Sequence, residues 1–300
     1  MFAVTILGCN SAIPAHGRNP SSQIIQLQDN SFLIDCGEGT QMQLSKFKIK
    51  VSKISHIFIS HLHGDHYFGL IGLLSSMSLM NRTQDMHIFG PALLKDIILL
   101  QCKASDTDFS FQIYFHELGE NGLIAETNKM MISSFKVNHQ IDCWGFLFKE
   151  KKNPRSIIAE KVKSYEIPSS FYEQLQKGED YQTKKGTIIA NAEVTNENEK
   201  PRTYAYCADT IYNESIIPII KEVDLLYHET TYLKDQEDKA SARFHSTTVQ
   251  AGQIAKKAEV KRLIIGHYSS KYESIDSFLK ETKEIFENTE LGIEGACYYV

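Results

Sequence analysis

Six consecutive residues, His61-Leu62-His63-Gly64-Asp65-His66, place three imidazoles and a carboxylate just after the apolar run Ile57-Phe58-Ile59. An apolar strand that stops at such side chains delivers them to a loop at a sheet edge, where they can converge on one point. His61 and His63 alternate and so fall on one side of an extended segment. Asp65 and His66 follow where the chain turns toward a helix. Imidazole nitrogens and carboxylate oxygens are zinc donors, and a catalytic zinc site keeps one position open for water. A lone histidine is usually a satisfied polar residue, but four donors in six residues read as a metal site, a hypothesis that the surrounding chain must support.

The surrounding chain alternates short apolar strands with helices, the pattern of an α/β fold. Strands are predicted over 2–7, 23–27, 32–34, 54–59 and 86–89, and a series of consecutive strands over 111–148. Helical character is predicted over 40–47, over 67–80 as a buried helix, and after Pro91. Further on, strands over 203–207, 224–227 and 262–265 alternate with helices over 246–257 and 274–287, and a terminal strand follows. Four apolar runs end at a metal-capable residue, namely His61, Asp209, His228 and His267. His139 stands just beyond a fifth, over 133–137. Taken singly, each is better explained as a satisfied histidine or a capping aspartate. Their recurrence at strand ends points instead to a site on one sheet edge, held rigidly while loops give access.

Composition narrows the class. Hydrophobic residues make up 42% and charged residues 23% of the 300, as expected of a soluble globular protein. A net charge of -5 argues against indiscriminate binding of nucleic acid, though not against a local basic strip. The six cysteines lie far apart with no CxxC pair, which predicts no disulfide framework and a reducing, cytoplasmic home. The apolar run 2–7 lacks a basic flank and is too short for a signal peptide or a membrane span. Residues 149–194 interrupt the rhythm with Lys149, Lys151, Lys152, Arg155, Lys161 and Lys163, then Tyr165-Glu166-Ile167-Pro168 and the polar run Lys177-Gly178-Glu179-Asp180. By composition this is a solvated surface insertion; by length it is a candidate functional excursion.

The motif His61-x-His63-x-Asp65-His66, with His139, Asp209 and His267 downstream, resembles the metallo-β-lactamase superfamily. Further motifs narrow the likeness to the ribonuclease Z family in its short form. Pro14 with Arg18-Asn19-Pro20-Ser21-Ser22 is similar to that family's N-terminal loop, and Asp35-Cys36-Gly37-Glu38-Gly39-Thr40-Gln41 to its next motif. Ala208-Asp209-Thr210, His228-Glu229-Thr230-Thr231, His245-Ser246-Thr247 and Gly266-His267-Tyr268 complete the series over nearly the whole chain. The metal motif alone identifies the superfamily; its combination with His245-Ser246-Thr247 is far more specific.

The resemblance implies one αβ/βα four-layer sandwich domain over 1–300, with 149–194 as an inserted tRNA-binding arm. It implies two Zn2+ per subunit: His61, His63 and His139 on one, Asp65, His66 and His267 on the other, Asp209 bridging. The implied activity is removal of the 3′ trailer of precursor tRNA, leaving a 3′-hydroxyl, by a homodimer without membrane attachment. Asp65 is the implied general base, His245 stabilises the transition state or protonates the leaving oxygen, and Glu229 orients His245. His228, outside a ligand set already full, is expected behind the ligands. The arm departs from the family's usual Gly-Pro-rich hairpin. Two competing readings are a metal-dependent phosphodiesterase of the same fold acting on small substrates and a catalytically silent RNA-binding protein.

Overall fold

β-Branched and aromatic runs build two seven-stranded sheets in the computed structural model, which describes residues 2–28, 30–198 and 200–300. In spatial order the first sheet is Cys297–Tyr299, Phe2–Gly8, Ser22–Leu27, Asn30–Ile34, Ile54–Phe58, Met86–Gly90 and Ile113–Glu117. The second is Thr289–Leu291, Leu263–Gly266, Leu225–Glu229, Thr203–Cys207, Trp144–Glu150, Met130–Lys136 and Gly122–Glu126. The chain divides into two compact units. One comprises Met1–Ala125, Ile132–Phe148 and Thr203–Val300, the other Glu126–Met131 and Lys149–Arg202.

Within the first unit the sheets meet through aromatic side chains. Phe58 packs on Phe146 and Phe148 with ring centroids 5.4 and 5.5 Å apart, and Phe32 lies 6.0 Å from Phe148. The helices Thr40–Lys46, Leu70–Leu79 and Leu93–Ala104 cover the outer face of the first sheet, burying Leu44, Leu73, Met77 and Ile98 against Leu33, Ile57 and Ile88. Thr248–Lys257 and Asp276–Lys283 pack on the second sheet. This is the expected αβ/βα sandwich. Two interior strand groups are parallel: Asn30–Ile34 with Ile54–Phe58 and Met86–Gly90, and Thr203–Cys207 with Leu225–Glu229 and Leu263–Gly266. Register aligns Ile34 with Phe58, Cys207 with His228 and Glu229 with Gly266, so the carboxyl ends of each group finish level. Parallel sheets bind ligands at those ends.

Three expectations need correction. The helix expected over 67–80 is two helices, Gly64–Tyr67 and Leu70–Leu79. The break falls at Gly69, whose N–H donates to Cys36 O at 2.9 Å and where a Cβ would meet Gly37 O at 2.3 Å. Nor is it buried all round, since Leu79 and Met80 face solvent. The last helix is shorter than expected, Asp276–Lys283. Two strands follow it rather than one, Thr289–Leu291 on the edge of the second sheet and Cys297–Tyr299 on the edge of the first.

The second unit is folded, not solvated coil. Val162, Ile167, Leu175, Ile189 and Val194 form its core, with Ile157, Phe171, Tyr172 and Tyr181 packed around them. A short hairpin pairs Tyr181–Gln182 with Ile188–Ile189, and Ser156–Ile157 pairs with Thr195–Asn196. Gly178 caps Tyr172–Lys177 at φ 100°, a left-handed position that suits glycine. Arg202 and Glu150 form a two-pronged ion pair. Among the described residues no helix is long and apolar enough to cross a membrane.

Because Phe58 is fully buried where the two sheets meet, Phe58→Ala should lower unfolding stability by about 3–5 kcal/mol. Chemical denaturation should report this as a lower midpoint at unchanged m-value.

Candidate metal centre

The carboxyl ends of both parallel groups supply the site. His61 and His63 stand three and five residues beyond the end of the Ile54–Phe58 strand, and Asp65 and His66 open the Gly64–Tyr67 helix. Asp209 follows Thr203–Cys207, Glu229 ends its strand, and His267 follows Leu263–Gly266. His139 lies beyond Met130–Lys136, and His245 lies just ahead of the helix Thr248–Lys257.

The structure brings these residues together. One ligand atom each from His61, His63, His139 and Asp209 lies within 4.8 Å of the others, and so do those of Asp65, His66 and His267. Asp209 joins the two groups: its Oδ2 is 3.7 Å from His61 Nε2 and 3.4 Å from His66 Nε2, and its Oδ1 is 3.2 Å from His267 Nε2. Asp65 Oδ2 stands 3.6 Å from His66 Nε2 and 3.5 Å from His267 Nε2, while accepting the Ala12 N–H at 2.7 Å. His63 Nδ1 and His139 Nε2 face one another at 3.1 Å.

Hydrogen bonds on the far side of the rings decide which nitrogen faces inward. His66 Nδ1–H donates to Asp35 Oδ2 at 2.8 Å, and His139 Nδ1–H donates to the Phe244 carbonyl at 2.9 Å. Ser60 Oγ donates its own proton to Asp35 Oδ2 and therefore accepts from His61 Nδ1–H at 3.0 Å. Thr231 Oγ1 donates to Glu229 Oε2 and likewise accepts from His267 Nδ1–H at 2.9 Å. In all four rings Nε2 is the nitrogen left to face the interior, the one a metal would take. Asp35 is itself held by Ser60 N–H at 2.7 Å and by Tyr206 O–H at 2.7 Å.

Electrostatics separate donors held neutral from one held as a cation. Burial, reinforced by the neighbouring imidazoles, pushes His61 well below the ordinary histidine range, and burial also lowers His63 and His139. Burial opposes ionisation of Asp209 and Asp65, but the charges of His66 and His267 hold both carboxyls well below the usual range. His66 is disfavoured as a cation by burial, yet Asp209, Asp65 and Asp35 raise it well above normal.

These residues fit a divalent metal. His61 Nε2 is buried and has no hydrogen-bond partner, although it points at Asp209. Mixed imidazole and carboxylate donors suit zinc, and burial favours the neutral ligand form of His61, His63 and His139. His245 stands beside the donors, with its ring centroid 5.2 Å from that of His139 and 5.4 Å from that of His267. Its Nδ1–H donates to Glu229 Oε1 at 2.9 Å. Burial works against its charge, but Glu229 raises its pKa to about 9. Glu229 is fully buried and also accepts the N–H groups of Thr210, Thr231 and Ser246. His228 lies apart from the donor groups: its Nδ1–H donates to Glu229 O, and its buried Nε2 has no partner.

Asp35 and Thr231 stand in the sequence motifs without an assigned role, and Ser60 was not picked out. The signal for Asp35 was present, since it too ends an apolar strand. A cavity of about 480 Å³ opens over the centre, lined by His63, Asp65, Asp209 and His245 and rimmed by Ile13 and Phe68.

Comparison with known proteins gives consistent results. A family model described as anti-Pycsar protein Apyc1 matches residues 2–157. The chain is 41% identical over 298 residues to the ribonuclease Z of Bacteroides fragilis, covering 99% of this chain and 98% of that one. It is similar to the crystal structure of human tRNase Z, short form, at a TM-score of 0.74 and 27% identity, covering 99% of each chain. The metallo-β-lactamase fold protein YhfI from Bacillus subtilis aligns at a TM-score of 0.69 and 20% identity, over 99% of this chain and 98% of that one, a likeness of fold.

Since Asp35 orients His66 and receives Ser60 and Tyr206, Asp35→Asn should weaken metal binding roughly 10–100-fold, the usual effect of losing such a supporting carboxylate. Competition with a chromogenic chelator would measure this, and circular dichroism should show an unchanged fold.

Proposed function

The chain belongs to the ribonuclease Z family within the metallo-β-lactamase fold, and over residues 2–157 to the family described as anti-Pycsar protein Apyc1; from that premise we propose that it is a metal-dependent endoribonuclease that removes the 3′ trailer of precursor tRNA. The observation that carries this reading is the pairing of a complete donor set with His245 and Glu229 on one cavity. A metal site alone would serve many hydrolases on this fold.

Two zinc ions per subunit are the proposed cofactor. His61, His63 and His139 would hold one, Asp65, His66 and His267 the other, and Asp209 would serve both. Ions of this kind, when bound, lower the pKa of water and polarise phosphoryl oxygens. The chain's own groups do the rest. Asp65 lines the cavity and is the proposed acceptor of the attacking water's proton. Water oxygen adds to phosphorus, the bond to the ribose 3′-oxygen breaks, and that oxygen takes a proton to leave a 3′-hydroxyl on the tRNA. His245 is the proposed donor, because Glu229 occupies its Nδ1 and leaves Nε2 for the substrate. Glu229 fixes the ring in that orientation.

Residues 149–194, within the folded unit that runs to Arg202, are the proposed tRNA-binding arm. Its cations are not all available. Lys151 pairs with Glu126 at 2.6 Å, Lys152 with Glu197 at 3.3 Å, and Arg155 Nε donates to Thr195 Oγ1. Lys161 and Lys163 on the helix Ala159–Ser164, and Lys184 and Lys185 in the hairpin turn, are exposed and suit phosphate contacts, which position RNA without reading sequence. We assign the enzyme to the reducing cytoplasm, in keeping with six free cysteines. We expect a homodimer in which one subunit's arm presents RNA to the other's site.

A metal-dependent phosphodiesterase acting on small substrates is the second reading. One observation favours it: the donor groups on a cavity of about 480 Å³ would suit a small phosphodiester as well. Metal-loaded protein that turns over bis-(p-nitrophenyl) phosphate rapidly and leaves precursor tRNA intact would establish it in place of the first.

On labelled precursor tRNA, the wild type should make one cut near the discriminator base. His245→Ala should keep its metal and lose about 10²–10⁴-fold in rate, the usual share of general acid–base catalysis. Asp65→Ala should lose both metal and cleavage, with metal content read by mass spectrometry. Leu175→Ala removes the centre of the arm's small core. It should reduce cleavage of precursor tRNA while leaving metal content and small-diester hydrolysis unchanged; equal loss on both substrates would remove the arm from RNA binding.

A further inference from the structure

The polar floor of the cavity is accounted for by the donor set and His245, but its rim is not. Phe68 is 63% exposed and Ile13 55% exposed, and both line the cavity that holds His63, Asp65, Asp209 and His245. Single exposed apolar residues are ordinary on protein surfaces. What sets Phe68 apart is that it is held in place while remaining open. Its N–H donates to Gly64 O at 3.0 Å, and the next residue, Gly69, donates to Cys36 O at 2.9 Å, so the backbone is tied on both sides. The ring rests directly on Gly64, where a Cβ would come within 2.2 Å of Phe68 Cε2. Tyr67 meets it edge-on, with centroids 5.0 Å apart. Glycine at 64 therefore makes room for the ring as well as for the turn of the ligand loop.

A phosphodiester seated over the donor set needs no apolar neighbour, whereas the nucleobase attached to it does. A fixed aromatic ring with much of its surface open, three residues beyond Asp65, offers such a base a surface to stack on at little entropic cost, because the ring is already ordered. We propose that Phe68 is a stacking platform for the nucleobase adjacent to the scissile phosphodiester. Phe68 thereby selects a polynucleotide over a bare phosphate ester. This inference rests on the endoribonuclease reading above.

The test compares wild type, Phe68→Ala and Phe68→Trp on a precursor tRNA and on versions with an abasic discriminator or an abasic first trailer nucleotide. Metal content is measured for each protein. Phe68→Ala should lower kcat/KM on the intact precursor by roughly 5- to 150-fold, the range for one stacked base, chiefly through KM and without loss of metal. Phe68→Trp should recover most of that loss. On one of the two abasic substrates the wild type should lose a similar factor and Phe68→Ala should add almost nothing to it, because ring and base act as one pair. Additive losses on both abasic substrates, or an intact precursor cut equally well by Phe68→Ala, would overturn the platform. A metal-loaded wild type that leaves the intact precursor uncut would instead overturn the endoribonuclease reading, and this inference with it.

Discussion

The site depends on where four imidazole protons go. Each ring of His61, His66, His139 and His267 carries an Nδ1–H, and in each case it is committed to an acceptor on the outer side: Ser60, Asp35, the Phe244 carbonyl and Thr231. Were any of these acceptors missing, the ring could present N–H to the interior, and a donor cannot ligate a cation. Asp35 is the centre of this arrangement on one side, as it binds His66 directly and His61 through Ser60. Glu229 is its counterpart on the other, reaching His267 through Thr231 and His245 directly. Two buried carboxylates that touch no reacting atom thus define the chemistry of those that do.

Those acceptors are in place because of how the strands end. Parallel pairing levels the carboxyl ends, and the chain must then turn sharply to face the ligands inward. Asp35 does so at φ 54° and His267 at φ 62°, in the left-handed region that aspartate and histidine tolerate better than most side chains. Phe244 adopts φ 57°, a costlier choice for a bulky residue, and its carbonyl is the one that fixes His139. Backbone strain of this kind persists where surrounding structure over-determines it. Here the over-determination is visible, because His245 N–H donates to Ala240 O and Ser246 N–H to Glu229 immediately beyond.

Much of this was legible in the sequence, for reasons that also explain what was not. The loop 61–66 is readable because its donors are neighbours in the chain. Asp209 and His267 are readable because each follows an apolar run, and parallel pairing carries such residues to one edge. The same signal misleads at His228, which also nears a strand end but bonds to Glu229 O, away from the donors. It was left unused at Asp35, whose function comes from lying behind His66, a depth that sequence spacing does not encode. The break before Leu70 depends on Gly69 approaching the Gly37 carbonyl, a contact between distant turns. In the arm, the core residues Val162, Ile167, Leu175, Ile189 and Val194 follow no regular period, so a folded unit reads as polar insertion. Its cation list was misleading for a related reason: three of the basic residues at its start are spent on neighbours, whereas Lys184 and Lys185 gain their position only from the hairpin.

The charge at the floor of the cavity then fixes the order of dependence between cation and RNA. Asp65 and Asp209 line it, Glu229 and Asp35 lie just behind, and the inward Nε2 lone pairs of the neutral His61 and His139 add to the electron-rich surface. A phosphodiester brought to that surface by itself meets like charge, and in a buried setting such repulsion is poorly screened. Cations are what the floor attracts. Binding of divalent metal and binding of a phosphodiester must therefore favour one another, and by linkage each strengthens the other by the same factor. A net charge of -5 is consequently no obstacle to a phosphodiester substrate, because the centre is a cation site before it is a phosphate site.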